Sequence, residues 1–178
     1  MSTLFEISIK IVAIMGIITS TLSYYMTKTN DPDPITGLTS RDRYVIQTSW
    51  APVKKDLTGN GVALLLLYFE KFPATKNYFV FKDVPNEKLK TDKKFHAHCN
   101  SVMVTLDSLI ANLNDGELIV SLLEKLGKNH KRHGIKDDAY DQLKETVIEL
   151  FSSFMTKEEL ETWDKLLKVA FSVIIKYL

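Results

Sequence analysis

His130 stands in the stretch Leu126-Gly-Lys-Asn-His-Lys-Arg-His133, and His98 stands upstream in Phe95-His-Ala-His-Cys-Asn-Ser-Val102. Ahead of both, Phe72-Pro73 is followed six residues later by Phe79. A neutral imidazole nitrogen is a good iron ligand. Two histidines on successive helices can therefore address the two faces of a flat iron cofactor, one holding the metal and the other facing the ligand side. With an aromatic anchored by a proline, they form the skeleton of a haem pocket.

The elements that must position these residues all read as helix, and no segment shows sustained strand alternation. Thr39-Ser-Arg-Asp42 gives a cap-like start, followed by Tyr44, Val45, Thr48, Trp50 and Val53 on a mostly apolar face. Gly61 to Phe72 is strongly apolar, and its four-leucine run Leu64 to Leu67 implies burial around much of the helix. Pro73 opens a short turn-like helix, and Asp83-Val-Pro-Asn86 reads as a loop. A long helix over Lys90–Leu113 carries His98, with Phe95, Val102, Leu106, Leu109 and Ile110 inward. Glu117 to His130 follows, then Asp137 to Phe154. The capping box Thr156-Lys-Glu-Glu159 launches a last helix to Tyr177. The expected class is all-α, with seven or so helices.

At 178 residues the chain suits one domain plus a tail. Lys+Arg of 23 against Asp+Glu of 22 leaves a formal charge of +1, so a nucleic-acid footprint is not expected. The single cysteine, Cys99, excludes an intramolecular disulfide framework. Residues 1–26 form an N-terminal hydrophobic segment, and 27–37, with Asp-Pro twice and a Gly, read as a linker. A spanning helix needs about 20 apolar residues. Residues 7–26 reach that length if Lys10 snorkels at one end. Three readings stand for this segment: a membrane anchor, a cleaved signal peptide, or a packed amphipathic helix. They imply a cytoplasmic protein held at a membrane, a secreted one, or a cytoplasmic one without an anchor.

From Leu38 to Leu178 the chain resembles the globin family. More narrowly it is similar to the intracellular globins of insects, with some likeness to vertebrate cytoglobin. Trp50, Gly61, Pro73, Phe79, His98, Val102, Leu126 and His130 stand in that family's order and approximate spacing. The stretch Phe79-Val-Phe-Lys-Asp-Val-Pro85 resembles the compressed corner of the insect form, with Phe81 nearest to the family's second corner aromatic. The resemblance implies a globin fold over residues 38–178 and haem b (iron protoporphyrin IX) as cofactor. It makes His130 the proximal iron ligand, with its second ring nitrogen donating to a carbonyl near Leu126. It makes His98 the distal residue, on the ligand side or as a sixth iron ligand.

On this reading Leu126, at i−4 from His130, packs beneath the porphyrin, and Val102, at i+4 from His98, walls the ligand pocket. Phe79 stacks on the porphyrin and Leu65 fills the distal wall. His96, two residues from His98, cannot share its metal and is expected to face solvent. His133, with Lys131, Arg132 and Lys136, either neutralises the propionates or is a solvated basic helix end. Ser101 leaves a customary basic propionate partner absent. Cys99 is a structural or free thiol, with an intermolecular disulfide as the alternative.

Each residue also has a plainer reading: His130 as a solvated histidine, and His98, Phe79, Val102 and Leu65 as core. Only the joint register separates the two. The expected function is reversible binding of dioxygen and other small gaseous ligands, for storage or facilitated diffusion, rather than catalysis. The competing expectation is haem redox chemistry (nitric-oxide dioxygenation, nitrite reduction or peroxidase-like activity) fed by a separate reductase, since the chain has no flavin or nicotinamide domain of its own. A haem-free regulatory domain is the third.

Overall fold

The structure, a computed structural model, describes residues 31–178. The segment read as anchor or signal lies outside the described residues. No helix among the described residues is long and apolar enough to cross a membrane.

Seven α-helices make up the described chain: α1 Ser40–Val53, α2 Leu57–Lys71, α3 Asn86–Leu89, α4 Lys93–Ala111, α5 Gly116–Lys131, α6 Asp138–Ser152 and α7 Lys157–Ile175. Two 3-10 turns, Lys54–Asp56 and Pro73–Tyr78, flank α2. The starts follow from local chemistry. Thr39 and Asp42 form a reciprocal capping box on α1, and Thr156 and Glu159 form another on α7. Asp56, Asp92 and Asp115 each accept an amide from the first turn of α2, α4 and α5.

Glycines allow close approach at two helix crossings. A Cβ on Gly61 of α2 would meet the Cys99 carbonyl oxygen of α4 at 2.7 Å. One on Gly127 of α5 would meet the Ile174 carbonyl oxygen of α7 at 2.6 Å. Only hydrogen fits at either place. α6 packs on both α2 and α7, and α1 closes against α7.

Two apolar clusters result. One gathers Ile46, Trp50, Leu123, Phe151, Trp163 and Leu167 among others around α1, α5, α6 and α7. The other joins Leu65, Phe69, Phe81, Leu89, Phe95 and Cys99 beneath the corner that links α2 to α4. That corner holds Phe79.

Several details differ from the sequence reading. The inward face of α1 is Ile46, Ser49, Trp50 and Val53, whereas Tyr44 is 68% exposed. Ser49 is buried because its Oγ accepts the Trp163 indole N–H at 2.9 Å and donates to the Val45 carbonyl. Residues 83–85 are non-helical as expected, but Pro85 then caps a short helix, α3, and the long helix α4 starts at Lys93 rather than Lys90. On α4 the fully buried stripe is Phe95, Cys99, Met103, Leu109 and Ile110, while Val102 and Leu106 are only half-buried. The reason is a cavity on that side of the helix. Within the stretch read as linker, Asp33 Oδ1 accepts the amides of Ile35 (3.0 Å) and Thr36 (2.7 Å), and Thr36 is buried. This turn packs on Gly116 at the start of α5.

Candidate functional site

α4 and α5 bring His98 and His130 to the walls of the same two adjoining cavities. The first, of about 190 Å³, is lined by Leu65, Phe79, Phe81, His98, Val102, His130 and His133 among others. The second, of about 210 Å³, runs deeper, past Ser101, Leu106, Leu126, Leu166 and Phe171. His98, Val102, His130, Tyr140 and Leu143 belong to both walls. The five residues singled out from sequence (Phe79, His98, Val102, Leu126 and His130) therefore surround one continuous apolar space.

His130 sits in the last turn of α5, where its Nδ1 lies 2.9 Å from the Leu126 carbonyl oxygen. A carbonyl can only accept, so Nδ1 carries a proton, and in the neutral form of the ring Nε2 keeps the lone pair. The ring is edge-on to Tyr140 at 6.0 Å between centroids.

His98 projects from α4 into an aromatic setting. Phe79 meets it edge-on at 4.9 Å and Phe81 lies at 6.1 Å. Phe79 and Phe81 stack on one another at 5.1 Å, and Phe95 buttresses Phe81 at 5.3 Å. Burial pushes the His98 pKa down, and positive charge on the neighbouring His130 and His133 rings lowers it further.

Two expectations are sharpened here. His96 does not simply face solvent: its Nε2 donates to the Lys90 carbonyl at 2.8 Å, tying down the turn before α4. Cys99 is fully buried, and burial pushes its thiol up to about 12. That placement leaves no access for an intermolecular disulfide. Ser101 is turned back onto the Ala97 carbonyl. His133 is exposed at the rim of the first cavity.

Sequence reasoning missed Tyr140, Leu143 and Tyr68 as cavity walls. Tyr68 donates to the Ala139 carbonyl at 2.8 Å, and burial raises its hydroxyl to about 12. Tyr140 is 5% exposed and, among the described residues, its hydroxyl has no hydrogen-bond partner. Burial raises this hydroxyl too.

The helical fold and the paired histidines meet a direct comparison. The family model described as Globin matches residues 62–174. The chain belongs to the globin family. Cytoglobin-1 of Oryzias latipes is 33% identical over 140 residues, covering 74% of this chain and 78% of that one. A hexa-coordinate haemoglobin of Drosophila melanogaster, studied for cyanide binding and heme cavity transitions, matches with a TM-score of 0.76 at 26% identity. That match covers 79% of this globin and 95% of its counterpart. The anaerobic nitrite reductase HBII of Casuarina glauca is 29% identical over 141 residues, covering 73% and 88%.

Globins bind haem, and the residues present fit that group. The donors available are the His130 imidazole, its Nδ1 bonded to the Leu126 carbonyl, and the His98 imidazole on the same cavity walls. The walls between are apolar: Leu65, Phe79, Val102, Leu126 and Leu143.

Proposed function

We propose that this globin holds haem b between His130 and His98 and binds dioxygen and other small gaseous ligands reversibly, for storage or facilitated diffusion. The observation that carries the reading is the His130 Nδ1 to Leu126 oxygen bond beside a cavity that His98 also lines. When bound, haem supplies a ferrous iron able to take such ligands and release them.

The chain's own residues do the rest. His130 offers Nε2 to the iron, and the Leu126 carbonyl fixes which nitrogen that is and how the ring is turned. His98 brings one N–H to the opposite side, where it donates to a partly negative ligand. In the other tautomer the same cavity-facing nitrogen would carry a lone pair and would serve as a sixth ligand when no external one is present, a role supported by the likeness to the hexa-coordinate Drosophila protein. Phe79, Val102 and Leu65 keep water from the ligand side. Leu126 and Phe171 fill the space beneath.

The test is a reversible oxygen titration of the wild-type chain and His98→Leu. The account predicts that His98→Leu binds oxygen faster and also releases it faster. Equal rates in the two proteins would contradict a distal role for His98.

A second reading is redox chemistry at the same site, such as nitrite reduction, with electrons from a separate reductase. The similarity to a protein named as an anaerobic nitrite reductase favours it. Nitrite consumption by the reduced protein, measured as turnover with an electron donor, distinguishes it from simple ligand binding. Residues 7–26 are proposed as the segment that would place this globin at a membrane, which fractionation of the tagged full-length chain would check.

A further inference from the structure

The corner between Tyr78 and Asn86 carries the two rings that touch His98, yet its backbone is held only by local turns. Its amide bonds run from Phe79 to Lys76, from Lys82 to Phe79, from Val84 to Phe81 and from Lys88 to Pro85. None ties its two ends together. Lys76 does so. Its Nζ donates to the Val84 carbonyl and to Asn86 Oδ1, the latter at 2.8 Å. Among the described residues these are the only side-chain hydrogen bonds that span the corner.

We propose that Lys76 is a positioning residue for His98. Its ammonium closes residues 76–86 into a ring and so holds Phe79 and Phe81 as an aromatic stop against the His98 imidazole. The geometry gives the route. Phe81 is 2% exposed and anchored against Phe95, and Phe79 is stacked on Phe81. Phe79 meets His98 edge-on at 4.9 Å, so a shift of the corner is felt at the imidazole. Val80, between the two rings, is 83% exposed and gives the corner no anchor.

Charge-assisted bonds to a carbonyl and an amide are stronger than neutral ones, and a methionine of similar length removes both without opening a hole. Loosening the corner gives His98 more orientations, so the fraction of molecules with its N–H over the ligand position falls.

This inference rests on the haem reading. The experiment compares the full-length wild-type chain, Lys76→Met and Lys76→Arg, each loaded with haem, reduced and saturated with carbon monoxide. The readout is the infrared C–O stretching band, which separates molecules in which His98 donates to the ligand from those in which it has swung away. Lys76→Met should raise the open-to-closed ratio roughly threefold or more, and Lys76→Arg, whose fork reaches both acceptors, should restore it. Asn86→Ala, which removes one acceptor, should give an intermediate ratio and serves alone if Lys76→Met does not fold. Bands identical in wild type and variants would overturn the clamp while leaving the haem reading intact. A shift in Lys76→Met that Arg does not reverse would also count against it, as general loosening. Failure of the wild type to give a carbon monoxide complex would instead overturn the haem reading itself.

Discussion

His130 Nδ1 donates to the Leu126 carbonyl 2.9 Å away, one turn back on the same helix. This single bond decides which imidazole nitrogen faces the cavity and with what lone pair. His130→Gly should therefore leave a folded helical protein that does not retain haem through gel filtration. Free imidazole at millimolar level should restore retention, because it supplies the missing nitrogen without the helix. The check is the ratio of haem absorbance to protein absorbance before and after the column. Unchanged retention by His130→Gly alone would sink the ligand assignment.

Tyr140 is buried beside His130, and its hydroxyl has no partner among the described residues. Replacing such a group by a carbon isostere removes a desolvation penalty and leaves the ring packing against Phe171 in place. Tyr140→Phe should stabilise the cofactor-free chain by up to about 1 kcal/mol in urea unfolding. A clear loss of stability would show that the hydroxyl has a partner.

Gly61 faces the Cys99 carbonyl across the α2–α4 crossing. Alanine is the better helix former by about 1 kcal/mol, yet here its Cβ would lie 2.7 Å from a backbone oxygen that cannot rotate away. Overpacking of this kind costs about 1–3 kcal/mol, so the clash outweighs the propensity and Gly61→Ala should destabilise. α4 would be pushed outward, carrying His98 with it. The urea midpoint measures the first effect and the oxygen release rate the second.

Asp42 closes the capping box of α1 and accepts from Lys165 of α7 at 2.5 Å. Burial works to raise its carboxyl, but the bonds from Lys165 and Thr39 outweigh this and hold it below the ordinary value. A depressed folded pKa adds stability that is fully present above the unfolded value of about 3.9 and is lost as pH falls through the folded value. Asp42→Asn should thus cost about 1 kcal/mol at neutral pH. The gap should narrow as the urea titrations are carried to pH values below the ordinary carboxylate range. A gap that persists in acid would mean that the charge is irrelevant.

Much of this was legible in the sequence, because helix caps are local. Thr39 with Asp42 and Thr156 with Glu159 can be read within one turn of chain, whereas Phe79, His98 and His130 lie on separate elements and stand out only through their joint register with the family. What escaped depended on partners far away in sequence. Ser49 turns inward only because the Trp163 indole needs an acceptor. Val102 and Leu106 stay half-buried only because a cavity lies beside them, which periodicity cannot reveal. Tyr140 reads as ordinary core until the cavity walls are known. The role of Gly127 requires knowing that Ile174 crosses there. The helix α3 is four residues long, too short for any period to register. The turn at Asp33 shows the same limit, since its packing on Gly116 is invisible in a stretch that reads as Asp, Pro and Gly.

The central claim is that haem sits between His130 and His98. The measurement that reaches it most directly is the visible absorption spectrum of the haem-reconstituted chain, reduced and free of oxygen, then exposed to carbon monoxide. The account predicts two sharp visible bands, from His98 and His130 together, that carbon monoxide replaces. A single broad band would remove His98 as a sixth ligand while keeping His130. Haem that fails to bind, or bands that do not respond to carbon monoxide, would contradict the account.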